Sequence, residues 1–294
     1  MIKKNKNKVK NGRTFDVINI VLLLVFSALI VIPVYNIVVS SFATGTELSN
    51  GFGIFPSKLT LGNYSHVLSD PTLWNAFGIS VAKTAIGAVT HVLFCALMGY
   101  GMSKTYLKGR KFYSVLAIIT MYFAGGMVPS FLLIKELGLL NNFLVYIIPG
   151  LLSYFDVILF FNFFRNIPTS LEESAKMDGA SEFQVFWKIV LPLSKPALAT
   201  IGLFNGVGQW NDFYTALLYI NDKSLYPLQM RIYQIIEQAQ ITASKGFNPL
   251  AASIVSSQGI QLATIVVTAL PILIAYPFLQ KYFVGGMMIG AVKE

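Results

Sequence analysis

Residues 165–196 read Arg165-Asn166-Ile167-Pro168-Thr169-Ser170-Leu171-Glu172-Glu173-Ser174-Ala175-Lys176-Met177-Asp178-Gly179-Ala180-Ser181-Glu182-Phe183-Gln184-Val185-Phe186-Trp187-Lys188-Ile189-Val190-Leu191-Pro192-Leu193-Ser194-Lys195-Pro196. Pro168 stops the helix before it, because proline cannot continue a turn. Ser170 followed by Glu173 has the spacing of a capping box, so a short helix is expected to start there. Gly179 is placed to end that helix in a left-handed conformation. Ser181 followed by Gln184 is a second box, and Phe183, Phe186, Trp187 and Val190 then follow along one face. Pro192 and Pro196 end the second helix. The stretch predicts two short helices with a sharp bend, whose aromatics need a bilayer interface or a partner protein to cover them.

The surrounding sequence belongs to lipid. Of 294 residues, 55% are apolar and only 12% charged, against about a quarter charged in soluble domains. A bilayer core about 30 Å thick needs roughly 20 apolar residues per helix. Six stretches qualify: about Val17–Phe42, Leu73–Ser103, Phe112–Ile134, Phe143–Phe164, Ala197–Ile220 and Ile260–Phe283. The first is too long for a signal-peptide core and lacks a small-x-small cleavage site, so it reads as a retained helix that Pro33 bends. The expected layout is a tail at 1–14, a first span within 15–42, a loop at 43–72, a five-span core at 73–284 and a tail at 285–294. The core includes the paired short helices at 170–191 and a loop at 221–259, in which 228–240 has the character of a short amphipathic helix. The polar first eleven residues are expected to be disordered.

Sixteen of the 22 Lys and Arg fall on one side of this layout: in the N-terminal tail, at 104–111, at 165–195 and at Lys281 and Lys293. Lys58, Lys135, Lys223, Arg231 and Lys245 fall on the other, and Lys83 lies within a span. The positive-inside rule then makes both termini and the bent segment cytoplasmic. Cations spread over several loops, without interleaved aromatics, argue against a nucleic-acid partner. The single cysteine, Cys95, excludes an intrachain disulfide and Cys-based metal sites. His66 and His91 are too far apart for a local metal motif. Phosphate-loop, nucleophile-elbow and H-E-x-x-H patterns are absent, which argues against a self-contained enzyme.

Polar groups inside spans are costly and usually line a cavity. Asn205, Gln209 and Asp212 recur at i, i+4 and i+7, on one helical face, with Trp210 and Asn211 beside them. Two readings fit the stripe: a substrate path for sugar hydroxyls, or glue between helices. Asp156 is a lone carboxylate in the fourth span, and a pairing with Lys83 is one option for it. His91 reads as a packed, hydrogen-bonded helix residue and Cys95 as small apolar filler. Gly125-Gly126 and Pro129 allow either a bend in the third span or close packing.

The segment Glu173-Ser174-Ala175-Lys176-Met177-Asp178-Gly179-Ala180, followed by Ile189-Val190-Leu191-Pro192, resembles the EAA loop of ABC-importer permeases, with Ser174 in place of the first alanine. Gln209-Trp210-Asn211-Asp212-Phe213, Leu225-Tyr226-Pro227-Leu228-Gln229 and Gln280-Lys281-Tyr282-Phe283-Val284-Gly285-Gly286 are similar to the maltose-permease-like carbohydrate branch, its poly- and oligosaccharide group in particular. The resemblance covers essentially 15–294. It implies an all-α membrane protein with six transmembrane helices, the type I ABC-importer permease fold, and a cytoplasmic coupling helix. It also implies a bacterial cell-membrane location and import of an oligosaccharide or polysaccharide-derived sugar by alternating access, with no enzymatic step in this chain. No cofactor is expected here, since ATP and Mg would sit on a partner ATPase dimer. A second homologous permease subunit and an extracellular solute-binding protein, contacting 221–259, complete the implied assembly.

Within that resemblance, ATPase coupling falls on Glu172, Glu173, Ser174, Ala175, Met177, Asp178, Gly179, Ala180, Phe183, Leu191 and Pro192. The substrate pathway falls on Asn205, Gln209, Trp210, Asn211, Asp212 and Asp156, and no residue is assigned to a metal. The rivals are an ABC permease for a non-sugar solute and an ion-coupled secondary transporter. An anionic solute would demand basic residues in the path, where only Lys83 qualifies. An ion-coupled carrier would normally show internal repeats, and none is visible.

Overall fold

The computed structural model describes residues 12–51, 53–244 and 256–291. Residues 1–11, 52, 245–255 and 292–294 lie outside them, and with them the disorder expected for the first eleven residues and part of the loop expected at 221–259. The chain divides into two compact units, 1–67 with 239–266, and 68–238 with 267–294.

In the first unit, α1 (Gly12–Ser41) is a long helix interrupted by no charge after Asp16. Its segment Phe15–Ser41 has mean hydropathy 2.9, and its apolar side chains from Phe15 to Tyr35 are exposed, as lipid-facing residues would be. Two short helices follow, α2 (Gly45–Asn50) and α3 (Gly62–Leu68). Asn63 fastens α3 to the end of α1: it is fully buried, and its Nδ2 donates to the carbonyls of Ser41 at 3.0 Å and Ala43 at 3.1 Å. These carbonyls belong to the last residue of α1 and to the second residue beyond it, where no helical partner remains.

The second unit is organised on α4 (Pro71–Ser103). Asp70 caps its start, accepting from the Thr72 N–H at 2.8 Å, with Pro71 in the first turn. The next predicted span is broken: α5 (Arg110–Tyr122) and α6 (Met127–Glu136) meet at 116°. Gly126, at φ +92°, supplies the break, so the Gly-Gly pair serves as a bend. The fourth span is also broken. Two 3₁₀ turns, Phe143–Tyr146 and Ile148–Gly150, precede α7 (Tyr154–Arg165) at 50°. Gly99 lets α4 and α7 touch, since a Cβ there would stand 2.8 Å from that of Phe160.

The bent segment forms α8 (Thr169–Met177) and α9 (Glu182–Val185), continued by a π turn at Phe186–Val190 and a short α10 (Leu191–Leu193). The chain then turns by 80° into α11 (Lys195–Asn211). The box at Ser170 does not form. Pro168 occupies the cap position, the helix starts at Thr169, and Ser170 falls one residue inside, where its hydroxyl cannot close the first turn. Nor does Pro192 end the second helix: it sits at the start of α10, a position that needs no N–H, and the break comes at Ser194. The second box forms as expected. Ser181 accepts from the Gln184 N–H at 3.3 Å, and Gln184 accepts from the Ser181 N–H at 2.8 Å.

After α11 come α12 (Tyr214–Tyr219), α13 (Leu228–Ser244) and α14 (Ser257–Ala291). The expected short helix at 228–240 is thus longer than its pattern implied, and 285–291 continue α14. Among the described residues, three helices are long and apolar enough to cross a membrane, and counting each bent pair as one span raises the number to as many as six. The described residues hold helices and turns, with one isolated bridge between Ala43 and Leu59.

Candidate functional site: an elbow and a polar cavity

The elbow is built by helix-end chemistry. The Ala180 N–H donates to the Ala175 carbonyl at 2.9 Å and the Gly179 N–H to the Lys176 carbonyl at 3.0 Å, with Gly179 at φ +84°. This is a Schellman motif, so Gly179 bears the bend. Phe186, Val185, Val190 and Leu191 are buried with Tyr100 of α4 and Phe160 and Phe164 of α7. Each such side chain contributes about 1.5–3 kcal/mol by leaving water. Leu191 therefore works inside the bundle and cannot offer a contact surface. The single aromatic face expected from sequence is divided: Phe186 and Val190 face inward, while Phe183 and Trp187 stay exposed and touch each other edge-on at 5.9 Å.

A polar clamp ties the elbow to the end of α4. Lys104 pairs with Glu172 and lies 4.0 Å from the Tyr100 ring. Tyr106 and Tyr100 donate to Glu182 at 2.7 and 3.1 Å, and Lys176 pairs with Glu182 at 2.5 Å. Burial alone would raise the Glu182 carboxyl, but the hydrogen bonds from Lys176 and the two tyrosines prevail and bring it down to about 2. Burial and the bond to Glu182 push Tyr106 up to about 12. The lowered carboxyl stabilises the clamp fully above its ordinary value of 4.5 and fades only as pH falls towards 2, so the clamp is constant at neutral pH. Glu172 is thereby committed inside this subunit. Glu173, Ser174, Met177, Asp178, Gly179, Phe183 and Pro192 remain exposed, and Ala175 and Ala180 are half-buried.

The second feature is a cavity of about 740 Å³ whose lining includes Asn205, Gln209, Asp212 and Asp156 with Tyr146, Phe155 and Phe204. Four of the six sequence-predicted pathway residues meet there. Trp210 does not: it is buried on another face of α11, edge-on to Phe77 at 6.2 Å. Adjacent helix positions are rotated by about 100°, so Gln209 and Trp210 cannot share a wall. Asn211 is exposed and also lies off the cavity lining.

The carboxylates are paired differently from the sequence suggestion. Asp156 meets His91, Oδ2 to Nε2 at 2.9 Å, while Lys83 reaches Asp212, Nζ to Oδ2 at 3.2 Å and to its carbonyl at 2.6 Å. The His91 Nδ1 also faces the Gly150 carbonyl at 2.7 Å, so the ring serves both acceptors only when each nitrogen bears a hydrogen. Gln209 Nε2 donates to the Tyr146 carbonyl at 3.1 Å, and Cys95 Sγ stands 3.9 and 3.8 Å from the carbonyls of Leu151 and Ser153. Carbonyls freed by non-helical backbone at membrane depth need such internal donors. Lys83, His91 and Cys95, with Gly87 between, recur every four residues on α4. That period marks one face and was the available signal for this role.

The chain as a whole is similar to known proteins. The family described as "Binding-protein-dependent transport system inner membrane component" matches residues 6–288. The chain belongs to that family. It is the membrane permease component of an ABC transport system, the chemical step of which resides in separate ATPase subunits, and membership sets aside the ion-coupled carrier. Protein LplC of Bacillus subtilis is 46% identical over 98% of this chain and 97% of that protein. The polygalacturonan/rhamnogalacturonan transport system permease protein YtcP of Bacillus subtilis is 40% identical over 96% and 99%. A chain in the crystal structure of a bacterial ABC transporter involved in the import of the acidic polysaccharide alginate superposes with a TM-score of 0.85. It is 32% identical over 93% of this permease and 98% of that chain.

Proposed function

We propose that this permease subunit passes an oligosaccharide through the cavity between α7 and α11, driven by ATPase subunits that grip the elbow. The observation that carries the reading is the gathering of Asn205, Gln209, Asp212 and Asp156 around one cavity with Tyr146 and Phe155. Sugars need directed polar contacts together with aromatic faces, and this lining offers both. The carbohydrate systems named for its relatives support the same class. Six spans enclose too little for a two-gated path, so a second homologous subunit completes it. An extracellular binding protein delivers the solute to 221–259, where contact falls in part on residues outside those described. Alternating access is then rigid-body motion, with the elbow as its lever.

Asn205→Ala and Gln209→Ala, at cavity-lining positions outside the buried ion pairs, test the pathway. Each is expected to lower sugar uptake at least severalfold while the complex with the ATPase still co-purifies. Unchanged uptake would favour helix-to-helix glue.

Both termini and the elbow are assigned to the cytoplasm from the distribution of Lys and Arg. A cysteine at position 58 in a Cys95→Ala background is expected to react with a membrane-impermeant maleimide in intact cells. One at position 108 is expected to react only after permeabilisation. The opposite pattern would invert the topology.

A further inference from the structure

We infer that Glu172 and Glu182 are positioning residues for transport: they bolt both arms of the elbow to the end of α4, and α4 carries the elbow's displacement to the walls of the cavity. The inference rests on the reading of the elbow as the part that the ATPase grips, and deepens it by naming the route the motion takes.

The two arms are held separately. Glu172 belongs to α8 and pairs with Lys104, the residue that closes α4. Glu182 belongs to α9 and accepts from the hydroxyls of Tyr100, in the last turn of α4, and Tyr106, just beyond it. Side-chain exposure is 12% for Lys104 and 16% for Glu172, so water screens this pair weakly and it holds more firmly than a surface pair. The other links between elbow and bundle are softer. The chain enters the elbow at Pro168, whose ψ of 125° is outside the helical range, and leaves it at Ser194 through an 80° turn. Joints of this kind absorb changes of φ and ψ. The apolar contacts of Val185, Phe186 and Val190 keep the elbow seated but have no preferred direction, whereas hydrogen bonds do.

The rest of the path lies along α4. This helix runs unbroken from Pro71 to Ser103, so Tyr100 and Lys83 stand about 25 Å apart on one rod. Lys83 binds Asp212 at the end of α11, and His91 binds Asp156 of α7, so α4 is bonded to both helices whose residues line the cavity. Between the two pairs, Gly87 lies so close to Gln209 that an added Cβ would stand 3.0 Å from its amide. Contacts this tight pass a displacement on instead of absorbing it.

The test reads the cavity itself, on the whole transporter, with its ATPase and binding protein, in proteoliposomes. Gly208 lines the cavity, and a Cβ added there meets nothing within 4 Å, so Gly208→Cys in a Cys95→Ala background places a thiol in the wall. Its reaction with N-ethylmaleimide is timed without nucleotide and after trapping with ATP and vanadate, and the trapped nucleotide is counted. With the native clamp the rate is expected to change severalfold on trapping. Tyr100→Phe with Tyr106→Phe keeps both rings and removes both hydroxyls; it is expected to trap nucleotide and lose most of that change. Lys104→Glu, which repels Glu172, is expected to do the same, and Lys104→Glu with Glu172→Lys, which restores the pair reversed, to regain it. A role in folding alone would lower the amount of complex without altering the response per trapped nucleotide. Variants that trap nucleotide and keep the full rate change would overturn the route through α4 and leave the elbow reading standing. So would loss of assembly or of trapping in every variant, since the clamp would then serve the fold or the ATPase fit and carry no motion. No rate change with the native clamp would overturn the elbow reading as well.

Discussion

Gly179→Val is expected to leave the permease in the membrane but to abolish solute-stimulated ATP hydrolysis, with uptake falling by tenfold or more. The reason is conformational. Gly179 sits at φ +84°, and a Cβ added there meets nothing within 4 Å, so the penalty is backbone strain alone. For a β-branched residue in this region the cost is of order 1–3 kcal/mol. The Schellman bonds from Gly179 and Ala180 to Lys176 and Ala175 are comparable in strength, so strain of that size opens the bend. The lever would lose its angle while its roots, Phe186 and the Glu182 clamp, stay seated. Gly179→Asn provides the control. Asparagine tolerates left-handed backbone far better, so this variant is expected to keep most of the coupling. Solute-stimulated hydrolysis measured on the reconstituted complex separates the two, and a Val variant with normal stimulation would remove the bend from the mechanism.

The sequence carried the elbow because its signals are local. A left-handed glycine after a helix and a Ser-x-x-Gln box act within four residues, so they survive without tertiary information. Ser170 shows the limit of such reading. The same spacing of Ser and Glu is present, but a proline two residues earlier shifts the helix start and strands the box. The stripe Asn205, Gln209 and Asp212 was legible by periodicity, and the same periodicity argued against Trp210, its neighbour by 100°. The pairings of Asp156 and Asp212 were not legible. They depend on which turns of α4 face α7 and α11, and Gly99 and Gly87 fix that through close approach: a Cβ at Gly87 would come within 3.0 Å of Gln209. The broken spans stayed hidden for a related reason. Hydropathy sums over a window and does not register whether the backbone within it is one helix or two. Only Gly125-Gly126, and Pro149 within the second 3₁₀ turn, marked the breaks.

The largest loss of stability is expected from Lys83→Met. Lys83 is wholly enclosed, and it neutralises Asp212 while serving the Asp212 carbonyl at the break between α11 and α12. Removing it leaves a partly buried carboxylate facing no cation and a carbonyl without its donor. Breaking a buried pair from one side costs about 3–5 kcal/mol, a large part of the 5–15 kcal/mol that keeps a domain folded. The variant is expected to be recovered from membranes at a small fraction of the wild-type level and to unfold many degrees lower in detergent. Lys83→Met with Asp212→Asn removes both charges, and neutral replacement of a whole pair is often tolerated. The double variant is therefore expected to regain yield and melting temperature but not uptake, because the carboxylate that faces the cavity is gone. Recovery of uptake together with stability would make the pair a purely structural rivet, and a stable single variant would show that the ion pair contributes nothing to the fold.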